Sequence, residues 1–237
     1  MSLYGILLLS SISVPLLLSF DKKLQFFKSW KYIFPSIIII AAIYIFFDVQ
    51  LTKNFVWGFN PQYHSQSLFF GLPIEEWLFF VVIPYASLFL HHSFVLYFPQ
   101  IKLSDRLTQS ITRALIIGMA VSMVLSYDKT YTLYITATML VTLLLGIAEK
   151  SGLLNKFYVT FLLILIPFII VNGILTGSFI DGEVVWYNDS ENLGKRFFTI
   201  PIEDFLYAFS MIFLNLILSE TFKTKGKIFR KEFKTNE

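Results

Sequence analysis

The chain has 237 residues, of which 56% are hydrophobic and only 15% charged, with a mean hydropathy of +0.67 and a formal charge of +3. The apolar residues gather into long runs, so lipid and not water is the expected solvent. Cysteine is absent, which excludes disulfides, thiolate catalysis and cysteine-held metals; the basic residues sit mostly in short loops and after Leu218, a topology signal more than a nucleic-acid surface.

About 20 apolar residues cross the hydrocarbon core as a helix. The first run, 3–20, lacks a basic leading segment and a small-residue cleavage site, so a membrane helix is expected there and not a signal peptide. Further spans follow at 32–47, 73–92, 113–127, 131–148, 157–174 and 197–218. The fourth is short, and only Asp128, Lys129 and Thr130 separate it from the fifth. The expected fold class is an all-α integral membrane protein of about seven transmembrane helices.

Lys and Arg accumulate on the cytoplasmic side of short loops. Lys22, Lys23, Lys28 and Lys31 follow the first span, Lys102, Arg106 and Arg113 the third, and Lys150 and Lys156 the fifth. Lys223, Lys225, Lys227, Arg230, Lys231 and Lys234 follow the seventh, which brings 15 of the 19 basic residues to one side. The expected location is the cytoplasmic membrane, with the N-terminus outside and the C-terminus in the cytoplasm.

Phe59-Asn60 stands ahead of Pro73-Ile74-Glu75-Glu76-Trp77-Leu78-Phe79, and Tyr187-Asn188 ahead of Pro201-Ile202-Glu203-Asp204-Phe205-Leu206-Tyr207. The interval from Asn to Pro is 13 residues in both, and a tryptophan, Trp57 or Trp186, precedes each Asn. This predicts a duplication. Residues 1–99 form a first three-helix repeat, 100–130 a linking helix, 131–222 a second three-helix repeat and 223–237 a basic cytoplasmic tail. The linking helix restores the orientation of the first half, so the two repeats are parallel and both acidic motifs open on the same, outer, side.

Proline suits the first turn of a helix, and acids there are favoured by the helix dipole by about 0.3–1 kcal/mol. Capping alone explains one Pro-x-Glu. Two adjacent acids, twice, beside bulky apolar residues at the bilayer edge are expensive unless paired, protonated or facing a cavity, so Glu75, Glu76, Glu203 and Asp204 are functional candidates. Acids crowded in a dry site repel, which keeps one of them a proton donor. Asp48 and Asn172 lie at the same depth and suit either holding the acids or ending helices in water. Trp57 and Trp186 suit interfacial anchoring or stabilisation of a cation; Trp77, Phe205 and Tyr207 share that ambiguity with ordinary packing. His64, His91 and His92 make no metal pattern, and neither G-x-G-x-x-G nor a P-loop occurs.

At these motifs the chain resembles the small membrane lycopene cyclases of the heterodimeric type, which occur as two short polypeptides or as fused pairs. The resemblance covers nearly the whole chain, rests on Pro73-Ile74-Glu75-Glu76 and Pro201-Ile202-Glu203-Asp204, and matches the fused form. An attached prenyl synthase is not expected, since no Asp-x-x-x-Asp pair occurs. The resemblance implies cyclisation of the ends of lycopene to β-ionone rings, giving β-carotene by way of γ-carotene; because protonation followed by deprotonation exchanges no electrons, no cofactor is expected, and the residues give no sign of a metal or a nucleic-acid partner. Glu75 and Glu203 are then expected as the principal acid–base pair, with Glu76 and Asp204 tuning them or acting as the base. Asp48, Trp57, Asn60, Pro73, Trp77, Asn172, Trp186, Asn188, Pro201 and Phe205 are expected around the substrate. Lycopene and γ-carotene in the bilayer are the expected partners, and other carotenoid enzymes are candidate neighbours. A cyclase of C50 carotenoids, one forming ε or γ rings, and a lipid or carotenoid transporter are the alternatives. The transporter fits less well, because Gly173 and Gly177 have no counterpart in the second span.

Overall fold

The computed structural model describes residues 1–149 and 151–235, with side chains described to Gly226. Lys150 lies outside the described residues, as do the side chains of Lys227, Arg230, Lys231 and Lys234. The helices are α1 (Leu3–Leu18), α2 (Trp30–Lys53), α3 (Ile74–Tyr97), α4 (Asp105–Leu125), α5 (Thr130–Ala148), α6 (Leu153–Leu175) and α7 (Ile202–Thr235). They match the seven expected spans one to one. Six are long and apolar enough to cross a membrane, while α1, with 16 residues, is shorter. The outward faces carry Ile38, Phe46, Val124, Leu162 and Ile166, a surface suited to lipid. The protein is thus a nearly all-α, multi-pass membrane protein.

The ends of the elements differ from expectation. The fourth helix is longer, opening at Asp105, because the Ser104 hydroxyl accepts from the Leu107 N–H (3.3 Å) and caps it. Residues 197–201, expected to begin the seventh helix, form a hairpin of β5 (Arg196–Phe197) and β6 (Ile200–Pro201). Pro201 drives Ile200 toward extended backbone, and Phe198 turns the hairpin with φ 54°. The first half carries the same device, β2 (Leu68–Phe69) and β3 (Leu72–Pro73), turned at Phe70 (φ 52°) and Gly71 (φ 87°). The helix α7 also runs through the basic segment after 223 instead of ending before it.

In lipid no hydrophobic force joins helices, so packing and interhelical hydrogen bonds hold the bundle. Within the halves α1 packs on α3 and α5 on α7; between them α2 packs on α7 and α3 on α6, while α4 lies mainly against α5. Tyr44 on α2 donates to Ser210 on α7 (2.9 Å), and His91 on α3 bonds Thr160 on α6 (2.7 Å).

The loops before α3 and α7 join through β1 (Trp57–Phe59) and β4 (Val185–Tyr187), paired antiparallel with Gly58 opposite Trp186. Asn60 to Asn188 and Pro73 to Pro201 are the same step of 128 residues (188 − 60 and 201 − 73), and that step also carries Gly58 onto Trp186. A residue paired with its own counterpart lies on a two-fold axis, so the axis between the halves passes through this pair. The flanking bonds exchange accordingly: the Asn60 N–H donates to the Val184 carbonyl and the Asn188 N–H to the Val56 carbonyl, both at 2.9 Å. Only glycine fits at 58, because a Cβ there would stand 2.3 Å from the Trp186 ring. This strand pair brings the heads of α3 and α7 to one face of the bundle, as parallel repeats require.

Candidate active site

The first acid of each motif turns to its own loop. Glu75 accepts from the Ser65 N–H (2.7 Å), the Ser65 hydroxyl (2.9 Å) and the Ser2 hydroxyl (2.5 Å). Glu203 accepts from the Leu193 N–H (2.9 Å) and the Thr132 hydroxyl (2.7 Å). Ser65 and Leu193 are counterparts under the repeat, so each glutamate clamps the loop that leads into its own helix. These are helix-start contacts of the capping kind.

The second acid of each motif, a helical position further round, faces inward. Glu76 and Asp204 both line one cavity of about 500 Å³ at the junction of the halves, together with Asp48, Trp57 and Asn172. The Tyr4 hydroxyl donates to Glu76 Oε2 (2.5 Å). Asp48 Oδ1 accepts from Trp57 Nε1 (2.7 Å) and the Thr52 hydroxyl (3.3 Å), but its Oδ2 is buried without a donor. Glu76 and Asp48 are both buried and line the same cavity. A carboxylate accepts and never donates, so a carboxyl that gives a proton to a substrate must first carry one. Across the cavity Asp204 is fully supplied: Oδ1 accepts from Tyr131 (2.5 Å), and Oδ2 from Asn172 Nδ2 (2.8 Å) and the Tyr187 hydroxyl (3.0 Å). Burial and the neighbouring Asp204 carboxylate push the Tyr187 hydroxyl well above the usual tyrosine range, so it remains a donor.

Aromatic rings surround the acids. Trp57 meets Tyr131 edge to face at 5.0 Å, Tyr131 stacks on Tyr187 at 5.7 Å, and Tyr207 meets Tyr44 at 5.0 Å. Phe59, Phe79 and Phe168 continue the wall. A lycopene cyclase family model matches residues 1–94 and 128–222. The chain belongs to the lycopene cyclase family. The two matched segments contain the two acidic motifs and omit α4 entirely. No curated protein and no solved structure matches the chain. The family makes it a cyclase acting on a carotenoid such as lycopene.

Of the residues singled out from the sequence, this cyclase brings six to the cavity: Asp48, Trp57, Glu76, Asn172, Asp204 and Tyr207. The others stand apart from it. Glu75 and Glu203, expected as the principal pair, hold loops. Asn60 and Asn188, expected at the substrate, are turn residues whose side chains accept from the backbone N–H groups of Gln62 (3.0 Å) and Ser190 (3.1 Å). Pro73 and Pro201 end their hairpins, and Trp186 covers Gly58. Trp77 reaches back to the Phe69 carbonyl (3.3 Å), and Phe205 packs on Phe168 at 5.1 Å. The cyclase site also contains residues that the sequence did not single out, above all Tyr4, Tyr131 and Tyr187. Tyr4 and Tyr131 each stand in the first turn of the first helix of a repeat, a signal that was available. Among the described residues no cluster of ligands suits a metal ion.

Proposed function

We propose that the chain is a lycopene β-cyclase, closing each linear end of lycopene into a β-ionone ring and giving β-carotene by way of γ-carotene. An acid protonates the terminal double bond, the next double bond attacks the tertiary cation, and a ring proton departs to a base. Atoms and electrons balance within the substrate, so the reaction is an intramolecular isomerisation and requires no redox cofactor. The observation that carries this reading is the gathering of three buried carboxyl groups, Asp48, Glu76 and the fully hydrogen-bonded Asp204, in one aromatic-walled cavity. In this assignment Glu76 donates the proton, Asp48 holds it, and Asp204 accepts the ring proton. Trp57, Tyr131, Tyr187 and Tyr207 offer their π faces to the cation. Glu75 and Glu203 serve to fix the loops. Expression in lycopene-accumulating cells tests the proposal: β-carotene is the expected pigment. An ε- or γ-ring product, or action only on a C50 carotenoid, would move the chain to a related cyclase, and unchanged lycopene would count against cyclase activity.

We place the cyclase in the cytoplasmic membrane with the acids toward the outer side, supported by the loop distribution of Lys and Arg. Reporters after Glu237 and in the loop following Phe20 are expected to read cytoplasm, and those near Gln62 and Asp189 the outside. The reverse pattern would overturn the orientation.

A further inference from the structure

The cavity is long, and the acids occupy only one end of it. Along α3 it extends from Glu76 to Ser93, and 93 − 76 residues at a rise of ~1.5 Å make ~25 Å. A cavity of about 500 Å³ drawn out over that length is a slot, the shape of an extended chain and not of a compact ligand. The wall away from the acids is mostly carbon, and Ser10 and Ser11 turn their hydroxyls back to the carbonyls of Ile6 and Leu7, both at 2.8 Å.

The slot has one open side. Four of the residues lining it are exposed at the surface of the bundle: Ser10 and Val14 on α1, Pro167 and Ile170 on α6. All the other lining residues are buried or half-buried. Val14 is 60% and Ile170 59% exposed although both belong to the cavity wall. The opening therefore lies between α1 and α6, on a flank that faces hydrocarbon and not water.

We propose that the substrate enters sideways from the bilayer between α1 and α6 and lies extended along α3 with one end group at the acids. The inference rests on the carotenoid-cyclase reading and adds the route and the pose. A linear polyene dissolved in lipid would reach the site without crossing water. Its far end stays remote from the acids, so each encounter closes one ring, and the second ring requires release and return with the molecule reversed.

The chain has no cysteine, so single cysteines can be labelled after folding and reconstitution. Val14→Cys and Ile170→Cys would carry a bulky maleimide at the rim. Leu16→Cys and Leu162→Cys would carry it on exposed faces of the same helices that do not line the cavity. With lycopene in vesicles, labelling at either rim position is expected to lower kcat/KM about tenfold or more, with a smaller effect on kcat. Labelling at the control positions is expected to change it less than about twofold. The rate is compared before and after labelling of the same folded preparation, so a folding defect cannot imitate the result. Rim labels no more inhibitory than the controls would overturn lateral access while leaving the cyclase reading intact. Unlabelled wild-type protein that formed no ring would overturn that reading, and this proposal with it.

Discussion

Glu76→Gln is expected to lower ring formation at least about a hundredfold, the scale on which a positioned general acid contributes, with the protein still folded in the membrane. The amide keeps the length of the side chain, and its oxygen can still accept from the Tyr4 hydroxyl, so the local hydrogen bonding survives. What is lost is a proton that can be given to carbon. Glu75→Gln is the contrasting variant. Its carboxylate holds Ser65 and Ser2, and weakening those bonds is expected to cost about 1–2 kcal/mol of stability with activity kept within about tenfold of wild type. Pigment yield per folded protein distinguishes the two. Normal cyclisation by Glu76→Gln, or abolition by Glu75→Gln in well-folded protein, would exchange the roles of the neighbouring acids.

Asp204→Asn is expected to cause the second large loss, again about a hundredfold. Three donors converge on this carboxylate from Tyr131, Asn172 and Tyr187. An asparagine presents one oxygen and two N–H groups to the same donors, so at least one of them loses its acceptor and the negative charge disappears. The cavity then lacks both the base and the anion facing the cation. Glu203→Gln, whose side chain holds Leu193 and Thr132, is expected to be milder. Initial rates of ring formation in reconstituted vesicles check both, and equal rates for wild type and Asp204→Asn would remove Asp204 from the mechanism.

Much of the architecture was legible in the linear chain because membrane spans announce themselves by length and hydropathy, and because the Asn-to-Pro interval repeats. The parity of the helices implied parallel halves, and the loops before α3 and α7 meet where Gly58 pairs with Trp186. The hairpin at 197–201 was not legible, since Phe197 and Phe198 extend an apolar run without a glycine to mark the turn. The site was half legible. The motif identified two pairs of acids, but which member faces the cavity depends on the helical rotation set by the hairpin before it, and adjacent residues on a helix point about 100° apart. Tyr4 and Tyr131 were missed because tyrosine near a membrane surface ordinarily serves as an anchor. Only the bundle shows them reaching Glu76 and Asp204.

In this mechanism an exchangeable carboxyl proton becomes part of each ring. Purified protein reconstituted in lipid, given lycopene in deuterated water without added cofactor, tests it directly by mass spectrometry of the product. One solvent deuteron per ring, at the carbon that was protonated, is the predicted result, so a two-ring product carries two. Ring formation without deuterium uptake would contradict proton donation by Glu76 and with it the acid-catalysed mechanism.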